Sequence, residues 1–141
     1  MLKPALLALA VAALAGPAVA ADADVTGVWL SPTRSAHVEL THCGEAICGR
    51  ILTATKPKSN PNFLDVHNKS QAQRDRKIIG LTILEGFRGG PTHWSGGRVY
   101  NPGDGNTYRA SLTLVDNDHL IVKGCALMVL CKSQAWTRVQ E

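Results

Sequence analysis

The densest chemistry in this 141-residue chain lies in one short stretch, Asp65-Val66-His67-Asn68 followed by Arg74-Asp75-Arg76. A carboxylate, an imidazole and two guanidiniums together can hold an anion, because the guanidinium fork matches a carboxylate or phosphate. Asp65 and His67 are also the residue types of an acid–base pair in a hydrolase-like enzyme. The same residues serve architecture equally well. Asp65 and Asn68 make good turn caps through their short polar side chains, and Asp75 beside an Arg at a surface adds little. Ser59 and Ser70 lie near in sequence, but no Gly-x-Ser-x-Gly elbow surrounds either. No catalytic motif emerges, and the expectation is a non-enzyme.

Metal and cofactor chemistry find no pattern. His37, His42, His93 and His119 are scattered, without His-x-His or His-Glu-x-x-His spacing. Gly89-Gly90 and Gly103-x-Gly105 read as turn glycines, since no strand–loop–helix context makes them phosphate cradles. The four cysteines, Cys43, Cys48, Cys125 and Cys131, are spaced C-x4-C and C-x5-C rather than as zinc pairs. An even count favours two disulfides in an oxidising compartment. Of the three connectivities, Cys43–Cys48 with Cys125–Cys131 is preferred, because each pair brackets a short turn.

The N-terminus names such a compartment. Lys3, an apolar run from Ala5 to Ala15, the Gly16-Pro17 break and Ala18-Val19-Ala20 form an export leader over residues 1–20. The run is shorter than the ~20 residues a bilayer requires, so no transmembrane span is expected in the mature chain, which belongs in the periplasm or outside the cell. Residues 21–141 suit one domain by length. Losing Lys3 leaves 14 Lys and Arg against 11 acids. That mild +3 comes without a basic stripe and with few aromatics, which excludes a nucleic-acid role.

These residues need a frame, and the frame reads as strands. Val25–Ser31, His37–Cys43, Gly49–Thr55, Ile78–Phe87, Trp94–Tyr100, Tyr108–Leu114, Leu120–Cys125 and Ser133–Val139 are each β-rich. Tyr108, Ala110, Leu112 and Leu114 alternate with polar neighbours, the period of a half-buried strand. Asn101-Pro102-Gly103-Asp104-Gly105-Asn106 is strong turn chemistry. Tyr100 and Tyr108 flank it, as a cross-hairpin pair or as pocket lining. About eight short strands at turn-marked intervals predict an antiparallel sandwich or barrel. The exception is residues 56–77, polar and proline-bearing, too long for an idle connection. Ser70–Arg74 inside it reads as a short helical turn.

The order Gly27-x-Trp29, Cys43-Gly44…Cys48-Gly49, Asp65-x-x-Asn68, Arg74-Asp75-Arg76, Ile79-Gly80-Leu81, Gly96-Gly97-Arg98-Val99-Tyr100-Asn101-Pro102, Asp104-Gly105-x-Thr107-Tyr108 and Trp136-Thr137-Arg138 resembles a bacterial exported family, domain-of-unknown-function family 2147. The family usually continues the Asn with Pro, where this chain has Lys69. The resemblance implies a lipocalin-like, calycin-type up-and-down barrel of about eight antiparallel strands. By position, it also implies that Trp29 and Arg138 close the barrel, with Trp136 a competitor for the Arg. Closure makes the first and last strands neighbours, and a guanidinium over an indole is worth ~0.5–2 kcal/mol.

The leading expectation is therefore an exported, non-catalytic barrel that binds a small apolar or amphipathic ligand, with Leu40, Ile83, Leu112 and Leu114 inside. An eight-stranded barrel either holds one small ligand or is filled by side chains. The alternative is an envelope or protein-interaction module whose contact surface is the 56–77 segment. The candidate binding residues are Asp65, His67, Asn68, Arg74, Arg76, Tyr100 and Tyr108. No metal or cofactor is expected.

Overall fold

The computed structural model describes residues 24–140 and residue 12; the leader assigned to residues 1–20 lies outside the described residues apart from residue 12. Eight antiparallel strands form a closed barrel in simple meander order. They are β1 (Gly27–Ser31), β2 (Ala36–Cys43), β3 (Ala46–Thr53), β4 (Thr82–Gly89), β5 (His93–Asn101), β6 (Asn106–Asp116), β7 (His119–Ala126) and β8 (Leu130–Arg138). No helix among the described residues is long and apolar enough to cross a membrane.

Alternation decides which side chains enter the barrel. Val38 and Leu40 on β2, Leu112 and Leu114 on β6, and Leu120 and Val122 on β7 are buried, with more exposed residues between them. Trp29, Phe87, Trp94 and Trp136 supply the bulk. Glycines make room for them. A Cβ on Gly97 would stand 2.4 Å from the Phe87 ring, and one on Gly49 would stand 2.8 Å from Leu84. Register shifts at Gly49 on β3 and between Trp94 and Gly97 on β5 bend the wall, as tight barrel corners require. The bore is thus occupied by side chains, and Leu40, Ile83, Leu112 and Leu114 are all in it or against it.

The seam is short. β1 meets β8 over two residue pairs, Trp29↔Arg138 and Leu30↔Thr137, whereas β7 and β8 share eight. One further bond runs from the Val139 amide to the Val28 carbonyl, at 2.9 Å. The Arg138 guanidinium lies 4.3 Å from the centroid of the Trp29 ring. It also donates to the carbonyls of Thr26 (2.7 Å) and Asp24 (2.6 Å). Trp29 donates its indole N–H to the Val25 carbonyl at 2.9 Å. Trp136 donates instead to the Gln134 side chain at 3.0 Å.

Several boundaries differ from the sequence reading. β6 is longer at both ends and β8 starts at Leu130 rather than Ser133. Two further differences bear on the site. β3 starts at Ala46, so the Cys43–Cys48 bond (Cα–Cα 5.9 Å) crosses between paired strands around the two-residue turn at Gly44. The segment Ile78–Leu81 is not strand. The chain turns at Gly80, with φ +87°, while Ile78 is buried in the core cluster. The long connection therefore runs from residue 54 to residue 81.

Candidate functional site

Asn60 starts the order in the long segment. Its side chain donates to the Leu64 carbonyl (2.7 Å) and accepts from the Leu64 amide (3.0 Å). Leu64 then bridges to Lys77, and the Asp65 amide bonds the Arg76 carbonyl at 2.9 Å. The two arms of the segment are thereby paired, with Phe63 and Ile78 pushed into the barrel core. A 3₁₀ turn at Gln71–Gln73 closes the far end.

Asp65 is 0% exposed and is the hub. Its Oδ1 accepts the Tyr100 hydroxyl at 2.6 Å. Its Oδ2 accepts the Asn68 amide at 2.9 Å and the Arg76 Nε at 2.8 Å. Asn68 reaches the Tyr100 hydroxyl at 3.1 Å, accepts the Ser70 amide at 2.8 Å, and receives Arg74 Nε on its backbone oxygen at 2.9 Å. The Arg76 guanidinium also sits 5.5 Å from the Tyr100 ring centroid. Burial and the adjacent Asp65 carboxylate raise the Tyr100 pKa above 10.0, since an ionised phenol there would face a second anion. The network is a latch that ties the long segment to β5.

The remaining candidates separate from this hub. His67 is exposed, and its backbone oxygen lies against Gly105, where a Cβ would collide at 1.8 Å. Gly105, at φ +72°, is thus required both for its turn and for the segment to lie down. Tyr108 turns to Asp104, donating a short hydrogen bond to its carboxylate. That bond raises the Tyr108 pKa. Burial opposes ionisation of Asp104, but the hydrogen bonds from Tyr108 and Asn106 outweigh it, and its pKa is lowered. Tyr100 and Tyr108 do not pair. Register places Tyr100 opposite Thr107 and Tyr108 opposite Val99, and directly opposed residues share a face, so the two rings lie on opposite faces of the hairpin.

Sequence reasoning missed the Asn60 clamp, which carried no motif, and the exposed run Leu127–Leu130. That run caps the β7–β8 hairpin above the Cys125–Cys131 disulfide (Cα–Cα 4.0 Å). Its apolarity was visible, and hid among strand signals.

Meander order sorts the connections into two ends. One end carries residues 32–35, 54–81, 102–105 and 127–129, and the other carries residues 24–26, 44–45, 90–92 and 117–118. The first group holds seven Lys and Arg against Asp65, Asp75 and Asp104. The second holds no Lys or Arg against Asp24, Glu45 and Asp118. The Trp29–Arg138 closure sits toward the acidic end. Two surface depressions accompany the ends. One of about 530 Å³ is lined by Lys56, Asn62, Leu64, Lys77 and Ile79. Another of about 400 Å³ lies between Val25, His42, Pro91 and Trp94 at the acidic end.

Residues 27–138 match the family described as "Uncharacterized protein conserved in bacteria (DUF2147)". The chain belongs to the DUF2147 family. Among curated proteins no sequence matches this DUF2147 chain. Among solved structures it is similar to "Protein HP1028 from the human pathogen Helicobacter pylori belongs to the lipocalin family". Identity is 20%, the match covers 84% of each chain, and the TM-score is 0.73. The shared property is the fold: this DUF2147 barrel is lipocalin-like.

Proposed function

We propose that this protein is an exported, non-catalytic binding module whose working face is the basic end of the barrel, directed at an anionic partner in the cell envelope. The observation that carries this reading is the division of charge between the two ends. Seven cationic residues stand on the connections of one end and none on those of the other, and a surface so divided attracts and orients toward negative charge. Export is supported by the leader-type residues 1–20 and by two disulfides. A non-catalytic role is supported by Asp65, whose carboxylate is consumed by Tyr100, Asn68 and Arg76, while His67 stays exposed. The packed bore favours a surface role for the barrel over a ligand held within it.

The test is co-sedimentation with purified bacterial envelope at two salt concentrations. K56Q/K58Q/K69Q, all at exposed positions, should weaken binding several-fold and flatten its salt dependence. Equal binding by variant and native protein would remove the reading.

A second reading keeps a small ligand and moves it out of the bore. The depression of about 530 Å³ sets Lys56 and Lys77 around Leu64 and Ile79, which suits a small amphipathic anion such as a medium-chain carboxylate. Calorimetry with laurate should show binding that K56Q/K77Q abolishes. Absence of heat with the native protein would withdraw it.

A further inference from the structure

Leu127, Met128, Val129 and Leu130 are 82%, 86%, 83% and 65% exposed. They form one contiguous apolar tip, and every other element of the barrel hides its large aliphatic residues better than this one does. The backbone makes the tip stranger. Leu127 and Met128 both adopt positive φ, 49° and 46°. Two successive left-handed residues are the geometry of a turn that Asn-Gly or Asp-Gly satisfies without strain. Leucine and methionine gain nothing there from local conformation, and they meet no core. The Cys125–Cys131 bond ties the strands immediately below the tip, which holds the four side chains up as a fixed prong.

The tip stands on the basic end, between the 32–35 and 102–105 connections in barrel order. Two lysines flank it on the hairpin itself: Lys132 is opposite Gly124, and Lys123 is opposite Ser133. Both are exposed. At ~3.3 Å per residue along a strand, Lys132 stands about 7 Å below Leu130. A membrane-surface element buries its apolar face ~5–10 Å into the boundary between headgroups and acyl chains. A prong sunk to that depth would put the Lys132 ammonium level with lipid phosphates and Lys123, about 10 Å below Leu130, at their outer edge, where each cation adds to the attraction.

We infer that the β7–β8 tip is a membrane-insertion prong, with the Leu127–Leu130 side chains entering the interface of an anionic lipid bilayer and Lys123, Lys132 and the basic end facing the phosphates. The inference rests on the basic end being the working face and names its partner as the lipid surface itself. The acidic end and the Trp29–Arg138 closure then point away from the bilayer.

The experiment is flotation with vesicles of phosphatidylcholine alone and of phosphatidylcholine with 30% phosphatidylglycerol. It uses protein purified after export, with every variant carrying the same N-terminus by mass. Native protein should float with the anionic vesicles and much less with the neutral ones. L127S/M128S/V129S should lose at least tenfold in partitioning while its melting curve stays unchanged. K123Q/K132Q should lose severalfold on the anionic vesicles only. M128W, which adds one exposed indole to three buried ones, should be quenched by brominated acyl chains. Three results would overturn the inference: equal flotation of native protein and the serine variant, flotation of neither, or a concentration-dependent dimer that the serine variant abolishes, which makes the tip a contact between copies. Retained binding to whole envelope without vesicle binding overturns the lipid prong and leaves the binding-end reading standing. Loss of both removes both.

Discussion

Asp65 shows how a residue with catalytic chemistry becomes structural. A fully buried carboxylate is tolerable when its oxygens are taken up by donors, and three donors from three places in the chain do so here. Asp65→Ala strands Arg76, Asn68 and Tyr100 together. The expected loss is about 3 kcal/mol, read as a drop in melting temperature and as new protease cleavage within residues 54–81. Tyr100→Phe removes one donor and costs about 1–2 kcal/mol. The two tyrosines give a pH signature. Both pKa values are raised above 10.0, so the folded state holds these protons more tightly than the unfolded one. Their contribution is complete below pH 10 and falls away as pH rises through the folded values. Ultraviolet titration of the native protein should find no phenolate band at pH 10 comparable to that of free tyrosine. Tyr100→Phe should flatten the alkaline loss of stability. The residue types of this latch were legible in the sequence. Its wiring was not, because Asp65 and Tyr100 meet across 35 positions and nothing local in either segment encodes the meeting.

The elements were easier to read than their contacts. Strand alternation announced β2 and β6, and the Asn-Pro-Gly-Asp-Gly run announced the β5–β6 turn. Ile78–Leu81 deceived because short apolar runs look alike whether they pair in a sheet or plug a core from a loop. Gly80 and the inward Ile78 made it the latter. Gly97 is the element-level test. Alanine there meets Phe87 at 2.4 Å, and overpacking of this kind costs about 1–3 kcal/mol. Gly97→Ala should melt earlier, and Gly97→Ala with Phe87→Leu should recover part of the loss. Gly105→Ala acts elsewhere. It forces the 54–81 segment off the β5–β6 turn, so protease sensitivity within that segment should rise more than the melting temperature falls.

At the scale of the whole molecule, closure comes from side chains as much as from the ladder. Two residue pairs hold β1 to β8, and Arg138 reinforces them by stacking on Trp29 and by bonding the backbone of the incoming chain. Arg138→Ala should cost about 1–2 kcal/mol from the lost stacking and hydrogen bonds. Hydrogen exchange should show the amides of β1 opening first, ahead of those of β7. A barrel that parts at one line is no longer without edges. It becomes a curved sheet with β1 free on one side and β8 free on the other, and each is the natural complement of the other's twin in a neighbouring molecule. Arg138→Ala warmed at high concentration should therefore trade first strands between molecules and cool into interlocked dimers.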